Sequence, residues 1–497
     1  MPELLLAIDV GTSTARAGLF SPGGDLLAMA RAPLASTSPR EGWVEQDAGA
    51  VWRRVKGVIR RALARAGRAG PDLAAIGVTT QRTSAVVWDR RTGAPLSPLV
   101  IWSDLRGAAR AEELRAAGWP LAPQQAAAKL EAILAGVENP GPGRLAWGNI
   151  DSFLIWQLSG GAVHATDASQ AWPTGYLDPI SLSWNAGLIT HQGLDPAMFP
   201  TLVDTWGPIA DTDAALLGAR IPITADIADQ QSALMAHGRG PGVAKITFGT
   251  SATLDVGTGN AFVYRSAAAP PFIVSSVAGA TAFCLEGMVL SAGSALDRLR
   301  GAASLGGHAR FEALAASVPD AAGAAFLPAL QGLGAPHPDP ARRAALVGMS
   351  AATTKAHLAR AALEGVAFRV REVVGHVFGL IDAPPPESLG VDGGLASNAV
   401  FLQLQADLLS RPLRRHATHE ATACGAAICA GLGAGVMGED DVAAITQYDR
   451  TFEPRMSADE GEGRLARWRD AVYGRSEEAG SAISQRNAGA GKLGSRT

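Results

Sequence analysis

Cysteine is scarce in this chain, with three residues among 497. Cys284, Cys424 and Cys429 are too few for a disulfide framework, and no two of them have the spacing of a CxxC motif. Disulfide frameworks belong to small secreted domains, whereas cytosolic proteins keep their thiols reduced. The cysteines therefore predict a reducing environment, and we expect a cytoplasmic protein.

An excess of one charge is also missing, because 43 Lys and Arg residues stand against 46 Asp and Glu residues for a net charge of −3. The signs are interspersed, so the chain has neither the basic stripe of a nucleic-acid-binding protein nor an acidic tail. HExxH, GxSxG and metal-type Cys/His spacings are absent as well. These absences argue against a nucleic-acid partner and against zinc-dependent or serine-hydrolase chemistry.

Long apolar runs are lacking too. The longest uncharged run, residues 266–285, contains Pro270, Pro271 and Gly279 together with several hydroxyls. Such a run predicts two buried strands rather than a membrane span, which needs about 20 apolar residues. Residues 1–3 lack the basic region of a signal peptide. We therefore expect no membrane partner.

The length predicts two domains, since a single hydrophobic core stops growing near 250–300 residues. Apolar strand patterns and amphipathic helix patterns alternate, which predicts a mixed α/β protein. A glycine-rich joint at 238–242 separates residues 1–240 from residues 241–473. Residues 474–497 are rich in Ser, Gly and charge without periodicity, which predicts a disordered tail.

Two hydroxyl-rich glycine turns follow apolar strands, one in each predicted half. The first contains Gly11, and the second contains Gly249. Glycine lets the backbone approach an anion closely, and neighbouring N–H and hydroxyl groups can then bind phosphate. For either turn alone an ordinary hairpin remains an alternative. Their repetition predicts a duplicated fold whose halves hold a polyphosphate from both sides.

Asp229 follows an apolar strand pattern and precedes a predicted helix. A carboxylate there can be a simple N-cap. Asp226, Gln230 and Gln231 surround it with more polar groups than capping requires. A base in phosphoryl transfer must reach the attacking hydroxyl, and Asp commonly fills that role. Asp229 is therefore a candidate general base, and Asp9, at the end of the first strand, is a candidate magnesium ligand.

Together these motifs resemble the FGGY carbohydrate kinases. The matching segments run in order along residues 4–472 and include 9–16 (DVGTSTAR), 228–233 (ADQQSA), 249–251 (GTS), 357–365 (HLARAALEG), 393–398 (GGLASN) and 420–427 (EATACGAA). The resemblance implies a two-domain actin-like ATPase fold of the ribonuclease H-like type, with an interdomain cleft. It also implies ATP-dependent phosphorylation of a small polyol or sugar with Mg²⁺ as cofactor.

The resemblance further implies roles for individual residues. Asp229 would be the catalytic base, and Asp9 and Asp229 would position magnesium. The nucleotide would contact Gly11, Thr12, Ser13, Thr14, Arg16, Gly249, Thr250, Gly393, Gly394 and Asn398. The substrate would contact Arg82, Thr83, Trp102, Gln124, Asp229 and Gln230.

Within the family, the glycerol kinases are the most similar group, through residues 148–158, 164–167 and 332–336 and through Gln81 and Arg82. The pocket departs from theirs, because Thr83 stands where they place a glutamate and Gln124 falls where they have a tyrosine. A pocket that has lost a hydrogen-bond acceptor can admit a different or longer polyol. Glycerol therefore stays open against tetritols, pentitols and ketoses such as xylulose or ribulose. Glycerol kinases often form homodimers or homotetramers, and both states stay open here.

A non-catalytic, nucleotide-dependent regulator is the alternative from another class, because the same fold serves other ends. Such a protein would not need a carboxylate at position 229 beside a polar pocket. Retention of Asp229 favours the kinase.

Overall fold

The structure, a computed structural model, describes residues 3–474, which form two halves. The strands of the first half are β1 (Leu4–Val10), β2 (Thr14–Phe20), β3 (Leu26–Pro33), β4 (Glu45–Gln46), β5 (Leu73–Thr80), β6 (Val86–Asp89), β7 (Leu99–Val100), β8 (Leu145–Gly148), β9 (Ala165–Asp167), β10 (Leu177–Asp178), β11 (Ser183–Trp184), β12 (Thr201–Val203), β13 (Trp206–Asp211) and β14 (Pro222–Ala228). Its helices are α1 (Ala48–Ala66), α2 (Ala108–Ala116), α3 (Ala126–Leu134), α4 (Ile150–Leu158), α5 (Ala168–Ala171), α6 (Ala186–His191), α7 (Ala214–Leu217) and α8 (Asp229–His237).

The second half continues the same alternation. Its strands are β15 (Ala244–Phe248), β16 (Ala252–Gly259), β17 (Pro271–Val277), β18 (Ala280–Val289), β19 (Ala325–Leu327), β20 (Ala345–Val347), β21 (Leu389–Asp392), β22 (Leu413–His416) and β23 (Tyr448–Phe452). Its helices are α9 (Gly293–Ala302), α10 (His308–Ala316), α11 (Lys355–Phe378), α12 (Ala399–Leu409), α13 (Ala421–Gly433), α14 (Glu439–Ile445) and α15 (Ala458–Tyr473).

One large sheet forms the framework of each half. The first has the order β13-β14-β5-β1-β2-β3, and the second has the order β17-β18-β16-β15-β21-β22-β23. In the first sheet β1, β2 and β3 are antiparallel neighbours, while β1, β5 and β14 run parallel. In the second sheet β15, β16 and β18 are antiparallel neighbours, while β15, β21 and β22 run parallel. The α/β class and the predicted duplication are therefore confirmed.

Helices cover both faces of the first sheet. On one face α1 begins after the N-cap Asp47, whose side chain accepts from the Ala50 N–H, and it buries Val51, Val55 and Ile59. Buried apolar residues at helical spacing make this helix amphipathic, as its sequence predicts. On the other face lie α8 and α13, whose apolar residues share a core with β1, β5 and β14.

Glycines let α13 approach its neighbours closely. A Cβ added at Gly425 would lie 1.7 Å from the carbonyl oxygen of Ser232 on α8. A Cβ added at Gly77 on β5 would lie 2.2 Å from the carbonyl oxygen of Ala426. Since α13 lies in the chain between β22 and β23 of the second sheet but packs on the first, these contacts bind the two halves together.

Several local predictions are confirmed. Residues 266–285 form parts of the antiparallel strands β17 and β18. The strand β6 lies outside the main sheet and pairs with β8 in a separate two-stranded sheet. No helix within residues 3–474 has the length and apolarity to cross a bilayer. The boundary at 240/241 stays a prediction, and the tail at 474–497 lies, except for Gly474, outside the described residues.

Candidate active site

The predicted site residues follow strands that end at shared edges of the two sheets. In the first sheet, parallel β1, β5 and β14 lead into Gly11, Gln81 and Asp229. In the second sheet, parallel β15 and β21 lead into Gly249 and Gly393. Because the carboxyl ends of parallel strands meet at one edge, ligands of open α/β sheets bind there. The topology thus gathers, within each half, residues that lie far apart in sequence.

Asp9 is the next-to-last residue of β1 and lies directly opposite Arg16 on β2. The Arg16 Nη1 atom is 2.9 Å from Asp9 Oδ2, and its Nε atom is 3.2 Å from Glu420 Oε2 at the start of α13. Burial raises the pKa of Asp9 to about 6, although Arg16 lowers it, and repulsion from Asp229 contributes to the rise. Asp9 and Asp229 therefore lie close enough for their carboxylates to repel each other.

The first glycine turn connects the predicted phosphate residues to the predicted pocket. Gly11 N–H donates to the Thr14 carbonyl at 3.1 Å, which closes the turn. Thr12 Oγ1 accepts a hydrogen bond from Trp102 Nε1 at 2.9 Å and donates to Gln81 Oε1 at 3.3 Å. The carbonyl of Ser13, which follows Thr12 in the turn, accepts a hydrogen bond from the Leu34 N–H.

Asp229 is the first residue of α8, and 24% of its side chain is exposed. Its Oδ1 accepts the Gln230 N–H at 2.8 Å and lies 3.7 Å from Arg82 Nε. Burial raises the pKa of Asp229, while Arg82 and the Gln230 N–H lower it. A raised pKa makes a carboxylate a better proton acceptor, so the site suits a general base.

Arg82 crosses from the first half to the second. Its Nη2 is 2.8 Å from Glu286 Oε2 on β18, and its guanidinium lies 4.4 Å from the ring centroid of Phe272 on β17. Burial raises the pKa of Glu286 to about 7, against the lowering effect of Arg82. Arg82 thus links a carboxylate of each half, Asp229 and Glu286.

Three buried charges on neighbouring strands of the second sheet, one of them Glu286, were missed by the sequence analysis. Lys245, Asp255 and Glu286 lie opposite one another on β15, β16 and β18. Lys245 Nζ is 2.8 Å from Asp255 Oδ2, and both side chains are 0% exposed. A charge within an otherwise apolar strand pattern was the available signal, because a buried charge requires a partner.

The second glycine turn rests against the start of α9. Gly249 N–H donates to the Ser251 carbonyl at 2.9 Å, and the Thr250 carbonyl accepts from the Ala292 N–H at 2.9 Å. A Cβ added at Gly293 would lie 2.5 Å from the Gly249 carbonyl oxygen, so glycine permits this approach. The turn therefore has a fixed position at the edge of the second sheet.

The predicted adenosine segment follows β21. Gly393 has φ of +87°, and a Cβ there would lie 2.6 Å from the Phe248 carbonyl oxygen. Gly394 begins a 3₁₀ turn, and a Cβ there would meet open space. Asn398 caps α12 by accepting the Phe401 N–H at 2.8 Å. The segment thus lies beside the second turn and leaves room at Gly394.

Thr83 and Gln124 occupy contrasting positions. Thr83 follows Arg82 with a left-handed backbone, φ +54°. Its carbonyl accepts from the buried Lys129 Nζ at 3.2 Å, and the same amine donates to the Ile101 carbonyl at 3.1 Å, beside Trp102. Gln124 is exposed in the turn before α3. One amine therefore holds the backbone at Thr83 and at Ile101, the residue before Trp102, whereas Gln124 lies exposed to solvent.

The carboxylates present fit a hydrated magnesium ion rather than an all-protein metal cage. Within residues 3–474, no group of three or more His, Cys, Asp or Glu side chains is arranged to hold a metal. Mg²⁺ commonly uses one or two carboxylates and completes its shell with water and substrate phosphates. The mutual repulsion of Asp9 and Asp229 is the kind of electrostatic cost that a cation would relieve.

Comparison with known proteins agrees with this arrangement. The sequence profile for the FGGY family of carbohydrate kinases, N-terminal domain, matches residues 4–236, and the profile for the C-terminal domain matches residues 244–434. A glycerol kinase of Acinetobacter baylyi is 39% identical over 485 residues, which covers 94% of this chain and 98% of that protein.

Solved structures share the fold over nearly the whole chain. Plasmodium falciparum glycerol kinase, crystallised with ADP, superposes with a TM-score of 0.86 at 24% identity, covering 95% of this chain and 97% of that one. The xylulose kinase of Rhodospirillum rubrum superposes with a TM-score of 0.78 at 26% identity, covering 94% of this chain and 97% of that one. The predicted two-domain fold is therefore confirmed.

Proposed function

The chain belongs to the FGGY family of carbohydrate kinases, and we propose that it transfers the γ-phosphoryl group of ATP to a hydroxyl of glycerol or a closely related polyol. Its 39% identity to a glycerol kinase over 94% of the chain supports this acceptor class. The ADP in the structure of the Plasmodium falciparum relative supports the nucleotide.

The position of Asp229 carries the proposal. It is partly exposed at the edge where β1, β5 and β14 end, beside Arg82 and Gln230 and close to the turn that contains Thr12. A hydroxyl that enters from the cleft would meet this carboxylate, whose raised pKa favours proton acceptance. An ordinary helix N-cap would not explain the buried cationic and polar groups gathered around it.

In the proposed reaction, the acceptor oxygen attacks the γ-phosphorus while the bond from that phosphorus to the bridging oxygen breaks, and ADP leaves. Asp229 accepts the proton of the attacking hydroxyl. Arg82, which lies beside the Asp229 carboxylate, orients the phosphoryl acceptor. Trp102 packs near the acceptor, and a hydrogen bond to Thr12 holds its ring in place. Phosphoryl transfer depends mainly on positioning and charge neutralisation, which these residues supply.

For the cofactors, we assign the phosphates to the two glycine turns and the adenosine to the space beside Gly394. The phosphate residues are Gly11, Thr12, Ser13, Thr14, Arg16, Gly249 and Thr250, and the adenosine side includes Gly393 and Asn398. Asp9 and Asp229 would hold magnesium, which supplies neutralisation of phosphate charge when bound. Closure of the cleft would exclude water, which competes as an acceptor.

The test is ADP release with a panel of glycerol, erythritol, ribitol, xylulose, ribulose and glucose. We expect a polyol to stimulate release in the wild type. Asp229→Asn should lower kcat by about 10²- to 10⁴-fold, since the hydroxyl loses its proton acceptor, while ATP binding by calorimetry stays nearly unchanged. Near-normal turnover of Asp229→Asn would remove this residue from the role, and a panel without any substrate would favour the regulatory alternative.

A pentulose is the second candidate acceptor, and the small side chain of Thr83 beside Arg82 is the observation that favours it. The glutamate of glycerol kinases at this position is absent, so the pocket loses a hydrogen-bond acceptor and gains space. Thr83→Glu should shift the preference of the enzyme toward glycerol. An unchanged ranking of kcat/KM values across the panel would place Thr83 outside the acceptor pocket.

A further inference from the structure

The hydrogen bonds of Lys245 determine the orientation of the Gln230 amide. Lys245 Nζ donates hydrogen bonds to Gln230 Oε1 and Thr247 Oγ1, each at 2.8 Å, and forms an ion pair with Asp255 Oδ2 at 2.8 Å. A lysine ammonium has three N–H donors and no lone pair. The ammonium can therefore face only the acceptor atom of the Gln230 amide, its oxygen.

Asp255 keeps Lys245 in the charged form. Burial would lower the pKa of Lys245, but the adjacent Asp255, with Asp392 and Glu286 further away, raises it above its usual value. Neither Lys245 nor Asp255 is reached by solvent. The ammonium consequently persists across the physiological pH range.

The amide of Gln230 must therefore direct its oxygen toward Lys245 and its NH₂ group the other way. Gln230 is half-buried next to Asp229, and its Nε2 atom has no hydrogen-bond partner among residues 3–474. The neighbouring Asp229 carboxylate accepts hydrogen bonds, whereas the Gln230 NH₂ donates them. The acceptor pocket thus presents one hydrogen-bond acceptor and one hydrogen-bond donor side by side.

We propose that Lys245 and Asp255 are positioning residues which hold Gln230 as an obligate donor, so that the pocket takes uncharged polyols or ketoses and rejects aminopolyols. The inference rests on the proposed kinase function. A hydroxyl or carbonyl oxygen beside Gln230 can accept its N–H. A protonated amine has no lone pair and would leave that N–H without an acceptor, which disfavours its binding. The carboxylates of Asp229 and Glu286 would otherwise attract such a cation.

A purely structural ion pair predicts a different outcome. Replacing a buried pair by apolar residues of similar volume is often neutral for stability. If the pair only stabilised the sheet, the double variant Lys245→Met/Asp255→Leu would keep its acceptor kinetics. In our proposal the same variant frees the Gln230 amide to rotate, so that the pocket can also present an oxygen.

The experiment compares wild type with this double variant on two acceptors, glycerol and 3-amino-1,2-propanediol, at pH 7. We expect the KM for glycerol to rise about tenfold, the KM for ATP to stay unchanged, and the preference for glycerol over the amine to fall at least tenfold, as expected when one polar contact is lost. An unchanged glycerol KM together with an unchanged preference would overturn the proposal. If the double variant does not fold, the isosteric Asp255→Asn takes its place with the same two criteria.

Gln230→Glu tests the amide orientation independently. One oxygen of the new carboxylate would keep the contact with Lys245, and the other would present a hydrogen-bond acceptor to the cleft. We therefore expect the substrate preference to move from glycerol toward 3-amino-1,2-propanediol. Retained preference for glycerol would mean that the amide oxygen already faces the acceptor, and the proposal would fail. Arg369→Met/Glu372→Leu, which removes a buried pair on α11, is the matched control and should leave the acceptor preference unchanged. Absence of wild-type turnover on any acceptor would instead refute the kinase function.

Discussion

At the scale of single residues, Thr83 is the clearest departure from local preference. It is β-branched yet has φ of +54°, a conformation that costs roughly 1–2 kcal/mol for such a residue. The Lys129 amine holds its carbonyl at 3.2 Å. Backbone strain that the surroundings maintain is concentrated at functional sites. The strain therefore supports a place for Thr83 in the acceptor pocket.

Thr83→Gly should relieve this strain and raise the free energy of unfolding by about 1 kcal/mol. It should also lower kcat/KM for the acceptor, because the side chain and the rigid backbone are lost. Urea denaturation and steady-state kinetics measure the two effects. Ser410→Gly is the control, since Ser410 has φ of +49° at the end of α12, and it should stabilise without changing the kinetics. Equal kinetics in both variants would contradict a functional role for Thr83.

At the scale of elements, the junction of β14 and α8 rests on a cluster of buried carboxyl groups. Asp151 on α4, Asp167 at the end of β9 and Asp226 on β14 are fully buried. The Asp167 N–H donates to Asp226 Oδ2 at 2.9 Å. Burial raises the pKa of Asp167 to about 7, and burial with repulsion from its two neighbours raises the pKa of Asp226 well above its usual value. The strand that leads to Asp229 is therefore sensitive to protonation.

Asp226→Asn should alter how stability depends on pH. A carboxyl group whose pKa is raised on folding binds more protons in the folded state, so its stabilising contribution is complete below about pH 4, the pKa of the unfolded chain, and is lost as the pH rises above it. The amide does not titrate. We expect the variant to gain stability relative to wild type with increasing pH, by up to about 1.4 kcal/mol per pH unit. Parallel stability curves from pH 4 to 8, measured by urea denaturation, would contradict this expectation.

At the scale of the whole molecule, polar contacts join the two halves around the cleft. Arg82 contacts Glu286, Lys245 contacts Gln230, and Glu420 forms ion pairs with both Arg16 and Arg31. Each contact has one partner from the first half and one from the second. The contacts of Arg82 and Lys245 thus join the two halves at the proposed acceptor pocket.

Arg82→Met should destabilise the protein by about 3 kcal/mol, because Glu286 is left buried without a partner. Burial already raises the pKa of Glu286 to about 7. Without Arg82 this carboxylate can take up a proton at neutral pH, which limits the loss of stability, and the loss grows as the pH rises. Adding Glu286→Gln should restore most of the stability but none of the activity. A single variant as stable as wild type, by urea denaturation, would show that the ion pair does not join the halves.

The sequence by itself determined the fold class, the duplication and the position of Asp229 at the head of a helix. Strand periodicity and glycine turns are local signals, and the ordered family motifs extended them along the chain. The register of β15, β16 and β18 could not be predicted, because it depends on which strands become neighbours. Only the tertiary structure brought Lys245, Asp255 and Glu286 together and placed Arg82 against them. It also placed Gln124 in an exposed turn before α3. Residue types thus specify which chemistry is available, whereas long-range packing decides which of those residues act together.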